Sequence, residues 1–245
     1  MPTILITGAN RGLGLEFVQQ YTADGWTVIA CCRAPEKAEA LQALAKKHPA
    51  LRIEVLDVSD NRSIKTLADK LKDTAIDVLI NNAGIFSGTG TDGHHFPVED
   101  SDKSQNFGSI DSTAWEKVLR VNTIAPIMIA EAFVPHLIKG EGKKIINITS
   151  RMGSLTELEN KFGSIAYRSS KAALNSAMRT IASDLKNLGL MIANIHPGWV
   201  KTDMGGSYAN MTPQQSVTSL RQTITALKPE NSSQFLNYDG QILPW

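Results

Sequence analysis

Seven short apolar runs recur along the chain, at Thr3–Ile6, Thr27–Cys31, Arg52–Leu56, Val78–Ile80, Lys144–Ile148, Met191–Ile195 and Gln234–Tyr238. Each has the length of a strand, and stretches of helical period separate them. The clearest such stretch carries Leu174, Met178, Ile181 and Leu185, spaced by four, three and four residues and so aligned on one helix face. Strands that alternate with helices pair in parallel, because the helix serves as the long crossover that parallel neighbours require. The pattern predicts an α/β protein: a single Rossmann-type domain over residues 1–245, with a doubly wound parallel sheet of about seven strands and helices on both faces. Right-handed crossovers then align the carboxyl ends of the strands along one edge, where ligands of open α/β sheets bind.

Composition trims the list of functions. The 245 residues carry a formal net charge of +1, which argues against a nucleic-acid partner. The two cysteines, Cys31 and Cys32, are adjacent, so they supply neither a disulfide framework nor a zinc spacing. They are expected to pack near a strand end. No run approaches the roughly 18 consecutive apolar residues of a membrane span. The first residues lack a signal-peptide pattern, so the expected location is cytoplasmic and away from membranes.

Directly after the first run comes Thr7-Gly8-Ala9-Asn10-Arg11-Gly12-Leu13-Gly14, then the helical Leu15–Tyr21. Glycines there let the backbone turn sharply and approach a pyrophosphate, at which the following helix aims its free N–H groups. Gly8, Asn10, Arg11, Gly12, Leu13 and Gly14 are therefore candidate cofactor residues. The spacing is G-x-x-x-G-x-G, not G-x-G-x-x-G. An NAD site places a carboxylate at the end of the second strand to hold the ribose hydroxyls. This chain has Cys31-Cys32-Arg33-Ala34-Pro35 there, with no acid before Glu36. Arg33 and Arg11 would instead clamp a 2′-phosphate, which favours NADP(H).

Tyr167 and Lys171 stand four residues apart at the start of a strong helical pattern, and so share a face. A cation beside a phenol favours the phenolate and is expected to bring its pKa down from about 10.

These motifs together make the chain resemble the short-chain dehydrogenase/reductase family over nearly its whole length. Thr7–Gly14 matches the glycine motif, Asp57-Val58 the adenine-contacting pair, and Asn81-Asn82-Ala83-Gly84 the N-N-A-G run. Val121-Asn122-Thr123 resembles the context of the family's helix asparagine, Tyr167–Lys171 the active-site motif, and Pro197-Gly198 with Thr202 the contact after the sixth strand. Within the family the likeness is to the branch that contains bacterial C-factor and the sniffer-type carbonyl reductases. It is carried by Thr149–Ser154, Ala166–Leu174, His196–Gly206 and the ending Asn237-Tyr238-Asp239-Gly240…Pro244-Trp245.

The resemblance implies a catalytic set of Asn122, Ser150, Tyr167 and Lys171. Tyr167 would protonate the carbonyl oxygen of a small-molecule substrate as hydride arrives from the nicotinamide, and Lys171 would lower its pKa and hold the ribose. Ser150 would polarise the carbonyl, and Asn122 would position a water behind the lysine. Asn82, Ala83, Gly84, Pro197, Gly198, Val200 and Thr202 would join the cofactor site, with Asp57 and Val58 at the adenine. Ser150 follows the strand end but lies 17 residues before Tyr167, whereas Ser154 lies 13 before it, a spacing common in the family. Ser150 is favoured because the strand end fixes it while a loop lengthens cheaply.

Other tempting residues have simpler readings. Trp115 is expected to anchor the helix Thr113–Lys139, and Trp199 is divided between packing and a substrate wall. His94-His95 lack a third ligand, so no metal site is expected. Lys46-Lys47-His48 reads as a solvated helix end. Phe86–Ser112, Leu155–Ser164 and Gly205–Ser219 are the segments expected to set substrate choice, with Gly205–Pro213 as a lid. Small residues on Ser169–Ala177 permit a homodimer. Two functions follow: NADPH-dependent reduction of an aldehyde, ketone or quinone, or C-factor-like signalling in which nucleotide binding is supportive.

Overall fold

The structure, a computed structural model, describes residues 1–87, 103–158 and 163–245. Seven strands form one sheet: β1 Thr3–Thr7, β2 Thr27–Cys32, β3 Leu51–Val55, β4 Val78–Asn81, β5 Lys144–Ile148, β6 Met191–His196 and β7 Gln234–Asn237. All six neighbouring pairs are parallel, in the order β3-β2-β1-β4-β5-β6-β7. No strand boundary departs from its sequence run by more than one residue. The crossovers are α1 Gly12–Ala23, α2 Glu39–Ala45, α3 Asn61–Lys70, α4 Ser112–Leu119, α5 Ala125–Lys139, α6 Ile165–Asp184 and α7 Pro213–Ala226. The expected doubly wound α/β fold is the one that forms.

The strands read as continuous apolar runs because both faces of the sheet are covered. Ile4, Ile6, Val28 and Ala30 pack against Phe17, Val18 and Tyr21 of α1 and Val217, Leu220 and Ile224 of α7. Their neighbours Leu5, Ile29, Leu79 and Ile145 point the other way, onto Ile64 and Leu67 of α3, Ile129 and Phe133 of α5, and Leu174 and Met178 of α6. The alternation divides the adjacent cysteines between the two cores. Burial pushes the Cys31 thiol up, so it packs as an inert apolar group.

Ser112–Lys139 runs as one continuous helical rod, because a π-helical turn at Arg120–Ile124 joins α4 to α5. Pro126, in the first turn of α5, has no N–H to give the Asn122 carbonyl four residues earlier, and the helical ladder widens there. This rod is long and apolar enough to cross a membrane, a match that no uninterrupted apolar run signalled. Here Val121, Ala125, Ile129, Phe133 and Leu137 spend that apolar face on the sheet.

The winding reverses between β1 and β4, and the crevice past their carboxyl ends is the expected ligand site.

Candidate active site

The glycine turn leaves β1 at Gly8, whose φ of +63° suits glycine, and Gly12 has a φ of +53°. A Cβ on Gly8 would stand 2.8 Å from the Ala83 Cα, and one on Gly14 would stand 2.1 Å from the Gly8 oxygen. The turn is pinned from β4: Asn82 Nδ2 donates to the carbonyls of Thr7 and Gly8 at 2.9 and 3.1 Å. The Thr7 hydroxyl accepts from the amides of Asn82 and Ala83, both at 3.0 Å. Asn82 and Ala83 thus shape the turn. Thr7, which sequence reasoning left outside the site, organises three of its backbone contacts. Arg11 is the extended N-cap of α1 and its side chain caps nothing. The amides of the first helical turn beside Gly12 and Leu13 form a donor set that fits an anionic pyrophosphate.

Arg33 is exposed just past β2, and Asn10 is exposed in the turn. The Arg11 guanidinium pairs with Asp203 at 2.5 Å, which ties the turn to the segment after β6. A cavity of about 310 Å³ opens there, lined by Arg11, Gly12, Lys201, Thr202 and Asp203 among others. Past β3, Asp57 Oδ1 accepts from the amide and hydroxyl of Ser59 at 2.9 and 2.7 Å, while Val58 is buried in the core.

Tyr167 and Lys171 lie on the buried face of α6, and the Lys171 Nζ stands 5.8 Å from the Tyr167 ring centre. The Ser150 hydroxyl lies near enough to the Tyr167 phenol to draw its pKa down, and it accepts from the Met152 amide at 3.1 Å. Ser154 points elsewhere: its hydroxyl donates to the Trp245 carbonyl at 3.3 Å and accepts from the Glu157 amide at 3.2 Å. Asn122 sits in the π-turn, fully buried. Its Oδ1 accepts from the Ile85 amide at 2.9 Å, and its Nδ2 donates to the Ile85 carbonyl at 2.8 Å and to Ser170 at 3.1 Å. That clamp places Gly84 against Lys171, where a Cβ would lie 3.3 Å from Asn122 Oδ1 and 3.8 Å from Lys171 Nζ.

The charges depart from the sequence expectation. Burial pushes the Tyr167 phenol up to about 12, opposed by the nearby Ser150 hydroxyl. Burial also brings the Lys171 ammonium down to about 8. Lys171 does not hold the phenol down, because its Nζ is directed at the Ile148 carbonyl, 2.9 Å away. Desolvation outweighs the cation for both groups.

After β6, Gly198 has a φ of +84°, and a Cβ there would meet Met211 Sδ at 2.6 Å. Val200 bridges to Met211, and Trp199 Nε1 donates to the Gly205 carbonyl at 2.7 Å. Thr202 accepts from the Gly205 amide at 3.2 Å. The Gly205–Pro213 segment thus returns on a base built from Pro197-Gly198, Val200 and Thr202. Trp199 is partly exposed and braces this segment.

Gln105 is a residue that sequence reasoning missed. Its Oε1 accepts from the Tyr167 amide at 3.0 Å and its Nε2 donates to the Phe86 carbonyl at 3.1 Å, while the Phe86 ring lies 4.9 Å from that of Tyr167. No motif signals it, since it lies in an aperiodic stretch. Trp115 donates to the Ser169 hydroxyl at 2.9 Å, fastening α4 to α6 within the chain. Asn122 and Thr123 likewise engage Ser170, so that part of the small-residue face is interior. His94 and His95 lie outside the described residues, as do parts of Phe86–Ser112 and Leu155–Ser164. Among the described residues no metal-binding cluster occurs.

Known proteins are similar to this chain in sequence and fold. Residues 2–213 match the short chain dehydrogenase family. The carbonyl reductase Sniffer of D. melanogaster superimposes with a TM-score of 0.87 at 35% identity, covering 100% of both chains. The NADPH-bound carbonyl reductase from chicken fatty liver gives 0.86 at 35% identity, covering 100% of this chain and 99% of that one. The C-signal of Myxococcus xanthus is 37% identical over 69% of this chain and 93% of its own length. The chain is thus an oxidoreductase of carbonyl-reductase likeness: it belongs to the short-chain dehydrogenase/reductase family.

Proposed function

We propose that this protein reduces a small-molecule aldehyde, ketone or quinone to an alcohol with NADPH, within one domain over residues 1–245. The carrying observation is that Tyr167 and Lys171 share the buried face of α6 at the end of β5, where Lys171 Nζ donates to the Ile148 carbonyl two residues before Ser150. The NADPH-bound chicken reductase supports the choice of cofactor. So does Arg33, exposed past β2 with no acid before Glu36.

When bound, reduced nicotinamide supplies a hydride to the carbonyl carbon. Ser150 holds the carbonyl oxygen. Tyr167 stays protonated at neutral pH because it is buried, so it has a proton to donate to that oxygen. Lys171, cationic at neutral pH, holds the ribose and presents a positive charge near the phenolate that remains. Asn122 fixes Gly84–Ile85 beside the lysine. The first turn of α1 holds the pyrophosphate, with Arg11 and Arg33 on the 2′-phosphate. Gly205–Pro213 closes over the bound cofactor, which slower hydrogen exchange in that segment on adding NADPH would register.

The test is NADPH oxidation by purified protein against a panel of aldehydes, ketones and quinones, with Tyr167→Phe as the control. Turnover that disappears in the variant is the expected result. No oxidation by any of them, or turnover that survives Tyr167→Phe, overturns the reading. The C-signal likeness supports a second reading, in which nucleotide binding serves signalling; a cellular signal that persists in Tyr167→Phe would favour it.

A further inference from the structure

We infer that Asn175 and Thr149 are positioning residues for the reaction proposed above, on which this inference rests. Tyr167, Lys171 and Asn175 occupy three successive turns of α6 on one buried face. Opposite them, Ile148, Thr149 and Ser150 are three consecutive residues at the end of β5. Two hydrogen bonds fasten the sets together. Lys171 Nζ donates to the Ile148 carbonyl at 2.9 Å and the Thr149 hydroxyl donates to Asn175 Oδ1 at 2.8 Å, which sets Ser150 beside the turn of α6 that carries Tyr167.

The Thr149–Asn175 pair touches no reacting atom, yet it bears on Lys171 and Tyr167. A helix one turn out of place along its axis would break both hydrogen bonds, and a smaller slide would move Tyr167 relative to Ser150. Only Thr149–Asn175 joins two side chains that no chemical step engages, so it keeps the register while Tyr167 and Lys171 exchange protons or partners. It is fully buried, where a hydrogen bond is strong and a missing partner costly. Asn175 is itself held from the sheet, because Asn194 Nδ2 reaches its carbonyl at 3.4 Å and joins the chain Asn81–Asn147–Asn194 across β4, β5 and β6. The turn after Ser150 is seated on the same helix: a Cβ on Gly153 would stand 2.8 Å from the Lys171 carbonyl carbon.

Thr149→Val keeps the shape and deletes the donor; Asn175→Ala deletes the acceptor; Thr149→Ser restores a hydroxyl. Kinetics far below the melting temperature should show kcat lower by roughly 10- to 100-fold in the first two, since small misplacements cost that much. KM for NADPH should stay within about twofold, and Thr149→Ser should recover most of kcat. The double variant Thr149→Val/Asn175→Ala should be no slower than the worse single one, because both delete one bond. A second readout needs no turnover: with tyrosine isotope-labelled at Cζ, the Tyr167 resonance, assigned through Tyr167→Phe, should move in Thr149→Val and return in Thr149→Ser. If wild type reduces carbonyls but kcat in folded Thr149→Val is unchanged, the positioning role is wrong while the carbonyl-reductase reading stands. If no substrate turns over, the resonance alone decides: a shift supports the role, and an unmoved signal ends it.

Discussion

Asn122 and Ile85 exchange two hydrogen bonds, amide to Oδ1 at 2.9 Å and Nδ2 to carbonyl at 2.8 Å, so a side chain in a helix completes the backbone of a loop. Asn122→Ala would leave the Ile85 amide and carbonyl without these partners. Deleting a partner of buried polar groups costs more than a typical hydrogen bond contributes, and the loss should be about 2–3 kcal/mol. Urea unfolding checks it. Asn122→Asp, which keeps the acceptor for the Ile85 amide, should lose less; equal losses would count against the two-sided clamp.

Gly12 and Gly14 should respond differently to alanine, although both belong to one motif. In Gly14→Ala the Cβ would lie 2.1 Å from the Gly8 oxygen and 2.7 Å from Asn82 Nδ2, so the turn cannot keep its shape. NADPH binding should be lost by more than about 100-fold, which corresponds to roughly 3 kcal/mol. In Gly12→Ala the Cβ meets only the Thr202 side chain, at 3.4 and 3.7 Å, and the cost is the left-handed φ, roughly 1–2 kcal/mol. Calorimetric titration with NADPH would rank them, and the reverse order would sink this account.

How far the sequence exposes such relationships depends on their range. Strands such as Thr3–Thr7 are legible because a parallel strand covered on both faces must be apolar throughout. Gly8 is legible because its requirement is local: a left-handed φ and a close approach. The place of Ser150 just past a strand end is legible in the same way, since β5 ends at Ile148. The Gln105 clamp on Tyr167 spans 62 residues, and the Arg11–Asp203 pair spans 192. No spacing rule reaches so far. The direction of the Tyr167 shift was missed for a related reason. A neighbouring lysine is visible in the sequence, whereas the loss of water around both groups arises only from tertiary packing.

Cofactor preference should follow the residue after β2. Replacing Arg33 by Glu puts a carboxylate where a ribose diol would be bound and a 2′-phosphate repelled. Preference for NADPH over NADH, read as the ratio of kcat/KM values, should fall by at least about tenfold, equivalent to about 1.4 kcal/mol. Arg11→Ala should shift the ratio the same way by less, since Arg11 also pairs with Asp203. An unchanged ratio in Arg33→Glu would remove Arg33 from the phosphate site.

Burying Lys171 makes stability depend on pH in a way that identifies this one residue. Its ammonium titrates at about 8 in the folded chain, against an ordinary value of 10.5. Below about pH 8 both states carry the proton, and the native state bears the whole cost of the desolvated cation. Between about 8 and 10.5 the unfolded chain holds a proton that the native one has released, so rising pH favours the native state in this window. Tyr167 acts oppositely but later, since a phenol raised from 10.0 to about 12 erodes stability only as pH climbs above about 10. Lys171→Met removes the cation and its titration together. Urea unfolding should therefore show wild type gaining roughly 2 kcal/mol relative to Lys171→Met between about pH 7.5 and about pH 9.5. Parallel stability curves for the two proteins across that range would mean that Lys171 keeps its water and an ordinary pKa.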